Sequence, residues 1–135
     1  MAQTIRLKVV TPAGSVIDKD VLSVTACSDV GEFCVLPEHC PILASLAAGR
    51  FLVETANDTQ DTYVIDRGFF EGGIDHANVI TQYCVSASDI DSEAVKAEID
   101  QLKEQLASLP SDDPSAAELN SALLWAGARF DNAKK

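Results

Sequence analysis

The stretch Gly31-Glu32-Phe33-Cys34-Val35-Leu36-Pro37-Glu38-His39-Cys40-Pro41 decides how the rest of the chain is read. It opens on a glycine, runs through strand-like chemistry from Phe33 to Leu36, and breaks at Pro37 and again at Pro41. Glycine permits a positive φ or a close backbone approach, and each proline locks its own φ and removes an N–H donor. The pattern is a short buried strand feeding a stiff turn. Glu32 stands at one end of it, Glu38 and His39 at the other. A turn this rigid holds side chains ready for a partner.

Upstream, Ile5, Leu7 and Val9 alternate with Arg6 and Lys8, the period-2 pattern of a half-buried strand. Pro12-Ala13-Gly14 turns the chain, and Val16-Ile17 begins a second strand. The charges Asp18-Lys19-Asp20 are expected to interrupt it before Val21–Thr25 resumes, and Ser28-Asp29 forms a turn. Downstream, Ile42 to Ala48 is an apolar segment closed by Gly49, and Phe51, Val53 and Thr55 alternate with Leu52 and Glu54. After the turn cluster Ala56-Asn57-Asp58 come Thr62–Ile65, then Arg67-Gly68 with Phe69-Phe70-Glu71. Gly72-Gly73 and Asp75–Asn78 bracket a last hairpin into Val79–Tyr83. Short strands punctuated this often predict an antiparallel β-sandwich or barrel.

The character changes at Ser86. Val95, Ile99, Leu102, Leu106 and Leu109 follow at helical spacing, with Asp89 or Asp91 as N-cap. Pro110–Pro114 stops that helix, and Ser115 with Glu118 three residues on predicts a capping box for a second. There Leu119, Leu123, Ala126, Phe130 and Ala133 form the matching stripe. Two helices about a short turn make an antiparallel hairpin. The expected fold is β + α: a β-sandwich/barrel over residues 1–87, then a two-helix hairpin over 88–135.

Composition bounds the function. With 135 residues and 47% hydrophobic content, a packed core is within reach. A net charge of −11 with ten basic residues argues against nucleic acid and against an anionic membrane surface. No apolar run approaches the ~20 residues that span a bilayer, and Met1–Arg6 lacks the blocks of a signal peptide. These features point to a soluble, cytoplasmic chain. In such a compartment Cys27, Cys34, Cys40 and Cys84 are expected to be small buried hydrophobes; with His39 they show no zinc-ligand spacing. There is no phosphate loop, no catalytic carboxylate pair and no Ser-His-Asp set, so no catalytic residue is assigned. Two other readings are a small enzyme using His39 or His76 as general base, and a free-standing β-sandwich interaction, metal- or redox-sensing module built on the cysteines.

The opening stretch closely resembles the Gly-Glu-Phe-Gly-Val-Leu-Pro-x-His-x-Pro signature of the epsilon subunit of F-type ATP synthases, departing from it at Cys34. Further matches are Ile5–Pro12, the turn Ala48-Gly49-Arg50, the segment Asp66–Glu71 and Asp89-Ile90-Asp91, so the resemblance covers essentially the whole chain. It implies a non-catalytic rotor subunit without cofactor or metal, coupling proton flow through the membrane ring to ATP synthesis on the catalytic head. The implied partners are the gamma subunit, the c-subunit ring and, through the hairpin, the alpha and beta subunits. Membrane association would be indirect, as a peripheral part of a complex on the cytoplasmic face of the cell membrane. Glu32 is implied to face the c ring, and Glu38, His39 and Cys40 to approach gamma.

Some members bind ATP through Ile-Asp-x-x-Arg-Ala at the start of the first helix. Here Ile90 and Asp91 fit, but Ala94 stands at the arginine position and Val95 at the alanine position. Alanine cannot meet phosphate oxygens as a guanidinium does, so the motif is expected to be inactive.

Overall fold

The computed structural model describes residues 4–38, 41–55, 59–110 and 112–133. These form eight strands: β1 (Ile5–Thr11), β2 (Gly14–Val21), β3 (Ser23–Ser28), β4 (Gly31–Val35), β5 (Ile42–Leu46), β6 (Gly49–Glu54), β7 (Gln60–Gly72) and β8 (His76–Ser86). A 3-10 turn, Ala87–Asp89, leads into helices α1 (Ser92–Ala107) and α2 (Ser115–Asn132).

Alternation sets the inner face. Ile5, Leu7 and Val9 are fully buried, while Arg6 and Lys8 point outward. The strand order is β2-β1-β8-β7-β5-β3-β4, with β6 pairing both β3 and β7. All pairs are antiparallel except β1 with β8, which run parallel. The long β7 holds the layers together: its first half pairs β6 and its second half β5, while β8 lies along nearly all of it. The network thus folds back over one core in which Phe51 and Phe70 are completely enclosed. Phe33, from the signature stretch, meets Phe70 edge to face at 5.3 Å. Such a pair adds ~1 kcal/mol beyond its burial.

Five expectations need correction. The signature strand is not buried: β4 lies at the edge beyond β3, and of its five residues Val35 alone is enclosed, while Gly31, Glu32 and Cys34 are exposed. Asp18, Lys19 and Asp20 do not interrupt β2, which runs unbroken from Gly14 to Val21. Their charges are met across the sheet, by Arg6 on Asp18 (2.8 Å) and Asp20 (3.5 Å) and by Asp61 on Lys19 (3.2 Å). Thr62–Ile65 and Phe69–Glu71 are not separate strands, because Arg67-Gly68 continues β7. The capping box at Ser115 does not form: Pro114 occupies the N-cap, and Asp113 Oδ1 accepts from Ser115 N–H at 2.8 Å instead. Of the cysteines described, Cys27 and Cys84 are partly buried but Cys34 is exposed on β4; Cys40 lies outside the described residues.

Between the two candidates for the first cap, Asp91 is the one that acts. Its Oδ1 accepts from Glu93 N–H (3.1 Å) and Ala94 N–H (3.3 Å). The two helices pack on each other, and α2 also rests on the sheet at β6 and β7. Val95 and Ala126 are the buried members of the stripes, whereas Phe130 stays 41% exposed.

Candidate functional site

The β3–β4 hairpin shapes one end of the sandwich. Ser28 Oγ donates to Gly31 C=O (2.7 Å) and accepts from Val30 N–H (3.2 Å), a Ser-turn that exposes Val30 almost completely. Gly31 sits at φ +136, a conformation that side chains rarely adopt. Glu32 follows at once, exposed, with its carboxylate on Arg50 of β6 at 2.9 Å. The Glu32 carboxylate holds the Arg50 guanidinium above its ordinary pKa by hydrogen bond and charge. It also helps push the Cys27 thiol up, after burial, the larger cause. An ion pair this exposed contributes at most ~1 kcal/mol, so a partner can displace it at little cost.

Glu38 stands at the opposite end. The five residues of β4 span roughly 15 Å, and Glu38 comes after them in the turn that Pro37 begins. Its φ of +66 is left-handed, and its N–H donates to Ile74 C=O in the β7–β8 turn at 2.9 Å. The opening stretch therefore does place Glu32 and Glu38 at opposite ends of one strand. His39 and Cys40 lie outside the described residues.

Ile90 and Asp91 lie where the hairpin meets the sheet. They line a cleft of about 570 Å³ with Tyr63, Cys84, Ala94 and Arg129. Burial raises the Cys84 thiol to about 11, which makes it an unreactive wall of that cleft. Arg129 is the cation the cleft offers, and it is already engaged. It pairs with Glu98 of α1 and lies over the Trp125 ring, 5.0 Å from its centroid. Asp91 spends its carboxylate on the helix cap. Titrating the chain with MgATP in a calorimeter should therefore give no saturable heat in the micromolar range; a saturable isotherm there would show that the degenerate motif still binds.

The sequence reading missed the contact that seats the hairpin. Trp125 of α2 stacks on Tyr83 of β8, centroids 5.5 Å apart and rings 18° from parallel. Trp125 falls at helical spacing with Ala122 and Arg129, and it is the chain's single tryptophan, so a signal for it existed. Also missed was an apolar row on the outer sheet face. Val10, Ile80 and Phe69 are neighbours by register across β1, β8 and β7, and each is exposed. Among the described residues no group of three or more His, Cys, Asp and Glu is arranged to hold a metal. Among the same residues no helix is long and apolar enough to cross a membrane.

Comparison with known proteins agrees with this architecture. A family model described as the ATP synthase delta/epsilon chain, β-sandwich domain, matches residues 4–87. The ATP synthase epsilon chain of Geotalea uraniireducens is 33% identical over 135 residues, all of this chain and 97% of that one. The sodium-ion-specific ATP synthase epsilon chain of Propionigenium modestum is 30% identical over 118 residues, 87% of this chain and 85% of that one. Among solved structures, a chain of the Euglena gracilis mitochondrial ATP synthase superposes with a TM-score of 0.79 at 24% identity. The match covers 95% of this chain and 79% of that one, and shares the fold. The eight-stranded sandwich, the two-helix hairpin and full-length similarity lead to one conclusion: this chain belongs to the ATP synthase delta/epsilon family, as an epsilon-type chain.

Proposed function

We propose that the chain is a non-catalytic central-stalk subunit of an F-type ATP synthase, helping to couple ion flow through the membrane ring to ATP synthesis on the head. The observation that carries this is similarity to epsilon chains over its entire length, sandwich and hairpin together. The sandwich, residues 1–87, is the stalk-binding unit, and the hairpin, 88–135, is a possible regulatory element. The end bearing Val30 and Glu32 meets the c-subunit ring, while Glu38, His39 and Cys40 face the gamma subunit. Contact with alpha and beta runs through the hairpin. The chain is held at the cytoplasmic face of the cell membrane through these partners.

The geometry of Glu32 supports its role. It is exposed, sits beside a protruding turn, and is held by a surface ion pair with Arg50 and a long contact from the Cys27 thiol at 3.8 Å. Replacing it with lysine sets a cation against Arg50 and against basic loops of the ring. Bringing like charges together at a rim costs up to several kcal/mol. The test is to purify the tagged chain from its native cell, wild type beside Glu32→Lys. Wild type should bring the other ATP synthase subunits with it, and the variant should lose several-fold in complex yield and in ATP-driven ion pumping. A Glu32→Arg, Arg50→Glu swap, which keeps the pair, separates the local repulsion from the contact. Wild-type yield and pumping in Glu32→Lys would overturn the c-ring assignment; absence of ATP synthase subunits from the wild-type preparation would overturn the function itself.

A further inference from the structure

The β7–β8 turn carries a side-chain cluster that the proposed function does not use. His76, the first residue of β8, presents both ring nitrogens to carboxylates: Nδ1 lies 3.2 Å from Asp75 Oδ1 and Nε2 lies 3.0 Å from Glu71 Oε1. A neutral imidazole has one N–H and one lone pair. In this arrangement one carboxylate would then face a lone pair, acceptor against acceptor. Only the imidazolium, with two N–H donors, satisfies both partners.

The ring has a built seat. A Cβ added at Gly73 would come within 2.6 Å of His76 Cε1, so the imidazole lies directly over that glycine. Glu71 is held from its other side by Asn78 Nδ2 at 2.9 Å. Gly73 N–H donates to His76 C=O (2.9 Å), closing the turn. Neighbouring charges do not compete strongly. On β1, Arg6 and Lys8 are register neighbours of His76 and Asn78, and Arg6 is neutralised by Asp18 and Asp20 of β2.

The turn so fixed supports the segment after β4. Ile74 C=O accepts from Glu38 N–H, and Asp75 C=O accepts from Arg6 N–H, each at 2.9 Å. We propose that His76 is a proton-operated clamp: doubly protonated, it ties Glu71 to Asp75 and holds the β7–β8 turn in the form that orders the Glu38 backbone. Loss of one proton releases one carboxylate and loosens that support. Any effect on assembly rests on the reading of Glu38 as a gamma contact; the clamp itself does not.

The titration behaviour agrees. Glu71 first, then Asp75, raises the His76 pKa, and the hydrogen bond from His76 first, then that from Asn78, lowers the Glu71 pKa. A raised histidine stabilises fully below its unfolded pKa and is lost as pH rises through the folded value. A depressed carboxylate contributes above its unfolded pKa and is lost as pH falls through the folded one. The clamp is closed between the two folded values, from below the ordinary carboxylate range to above the ordinary histidine value.

Nuclear magnetic resonance on the full chain tests this. At pH 6 both ring nitrogens of His76 should be protonated, with a midpoint above the ~6.5 of free histidine. The exchange protection of the Glu38 amide should drop several-fold through that same midpoint. Glu71→Gln should lower the midpoint and the pH 6 protection, and His76→Gln should make protection independent of pH across this range. A singly protonated ring at pH 6, a midpoint at or below that of free histidine, or Glu38 protection indifferent to it would overturn the clamp. A clamp that titrates as described, in a chain whose His76→Gln variant joins the complex normally, would confirm the clamp and show that assembly does not depend on it.

Discussion

Gly68→Ala is expected to leave little folded protein at 37 °C. The methyl group would land on the carbonyl oxygen of Ile80 and within 2.9 Å of Ile80 C and Thr81 Cα. Those atoms are the backbone of β8, so no side chain can swing aside. Glycine inside a strand often marks such a close approach of backbone to backbone. The two strands would have to part at the place where Thr81, itself buried, donates its hydroxyl to the carbonyl of Asp66. Each buried polar group left unpaired costs ~1–3 kcal/mol, so two or three of them amount to ~2–9 kcal/mol. A domain this size is stable by ~5–15 kcal/mol. Gly127→Ala is the matched control: its added Cβ meets nothing within 4 Å, and alanine favours the middle of α2 by ~1 kcal/mol. Urea unfolding followed by circular dichroism should show the Gly68 variant shifted strongly down and the Gly127 variant level or higher. A Gly68→Ala midpoint equal to that of wild type would show that β7 and β8 are not packed as described.

Trp125→Ala is expected to free the hairpin from the sandwich without unfolding the sandwich. Trp125 is half-buried on Tyr83, and Arg129 stacks on it while pairing with Glu98. The substitution removes the aromatic pair (~0.5–1.5 kcal/mol), the cation–π contact (~0.5–1 kcal/mol) and part of a large apolar surface. A loss of at least ~2 kcal/mol corresponds to a roughly 30-fold change in an opening equilibrium. Hydrogen–deuterium exchange should therefore accelerate by about that factor in α2, with β1, β7 and β8 unchanged. Equal exchange in α2 would mean that other contacts seat the hairpin.

Release is expected to change little in the catalytic head. The first helix is acidic, with Glu93, Glu98, Asp100 and Glu104 against Lys96 and Lys103. The second offers Arg129, already paired, and the terminal Lys134 and Lys135. That is weak electrostatic attraction for an acidic target. ATP hydrolysis by the assembled complex should stay near the wild-type rate, both in Trp125→Ala and in a chain ending at residue 87. A several-fold rise in either would show that the hairpin restrains hydrolysis after all.

What the sequence determined by itself was what depends on near neighbours. Ile5, Leu7 and Val9 are buried because alternation in a strand follows from the pleat, whatever the strand pairs with. Asp91 caps α1 because a cap joins a side chain to N–H groups two and three residues away. The stiff turn after β4 was legible in Pro37 for the same reason. What only the tertiary structure decided was which distant groups meet. Asp18 to Asp20 look like a break until pairing with β1 sets Arg6 against the two aspartates and packing brings Asp61 of β7 to Lys19. Glu32 looks like a free carboxylate until β6 brings Arg50 to it, and His76 like a lone hairpin residue until β7 supplies Glu71. Tyr83 and Trp125 meet only because α2 folds back across the sheet. Charges and aromatic faces act through space over several ångströms, so their roles follow from register and packing, which no local pattern contains.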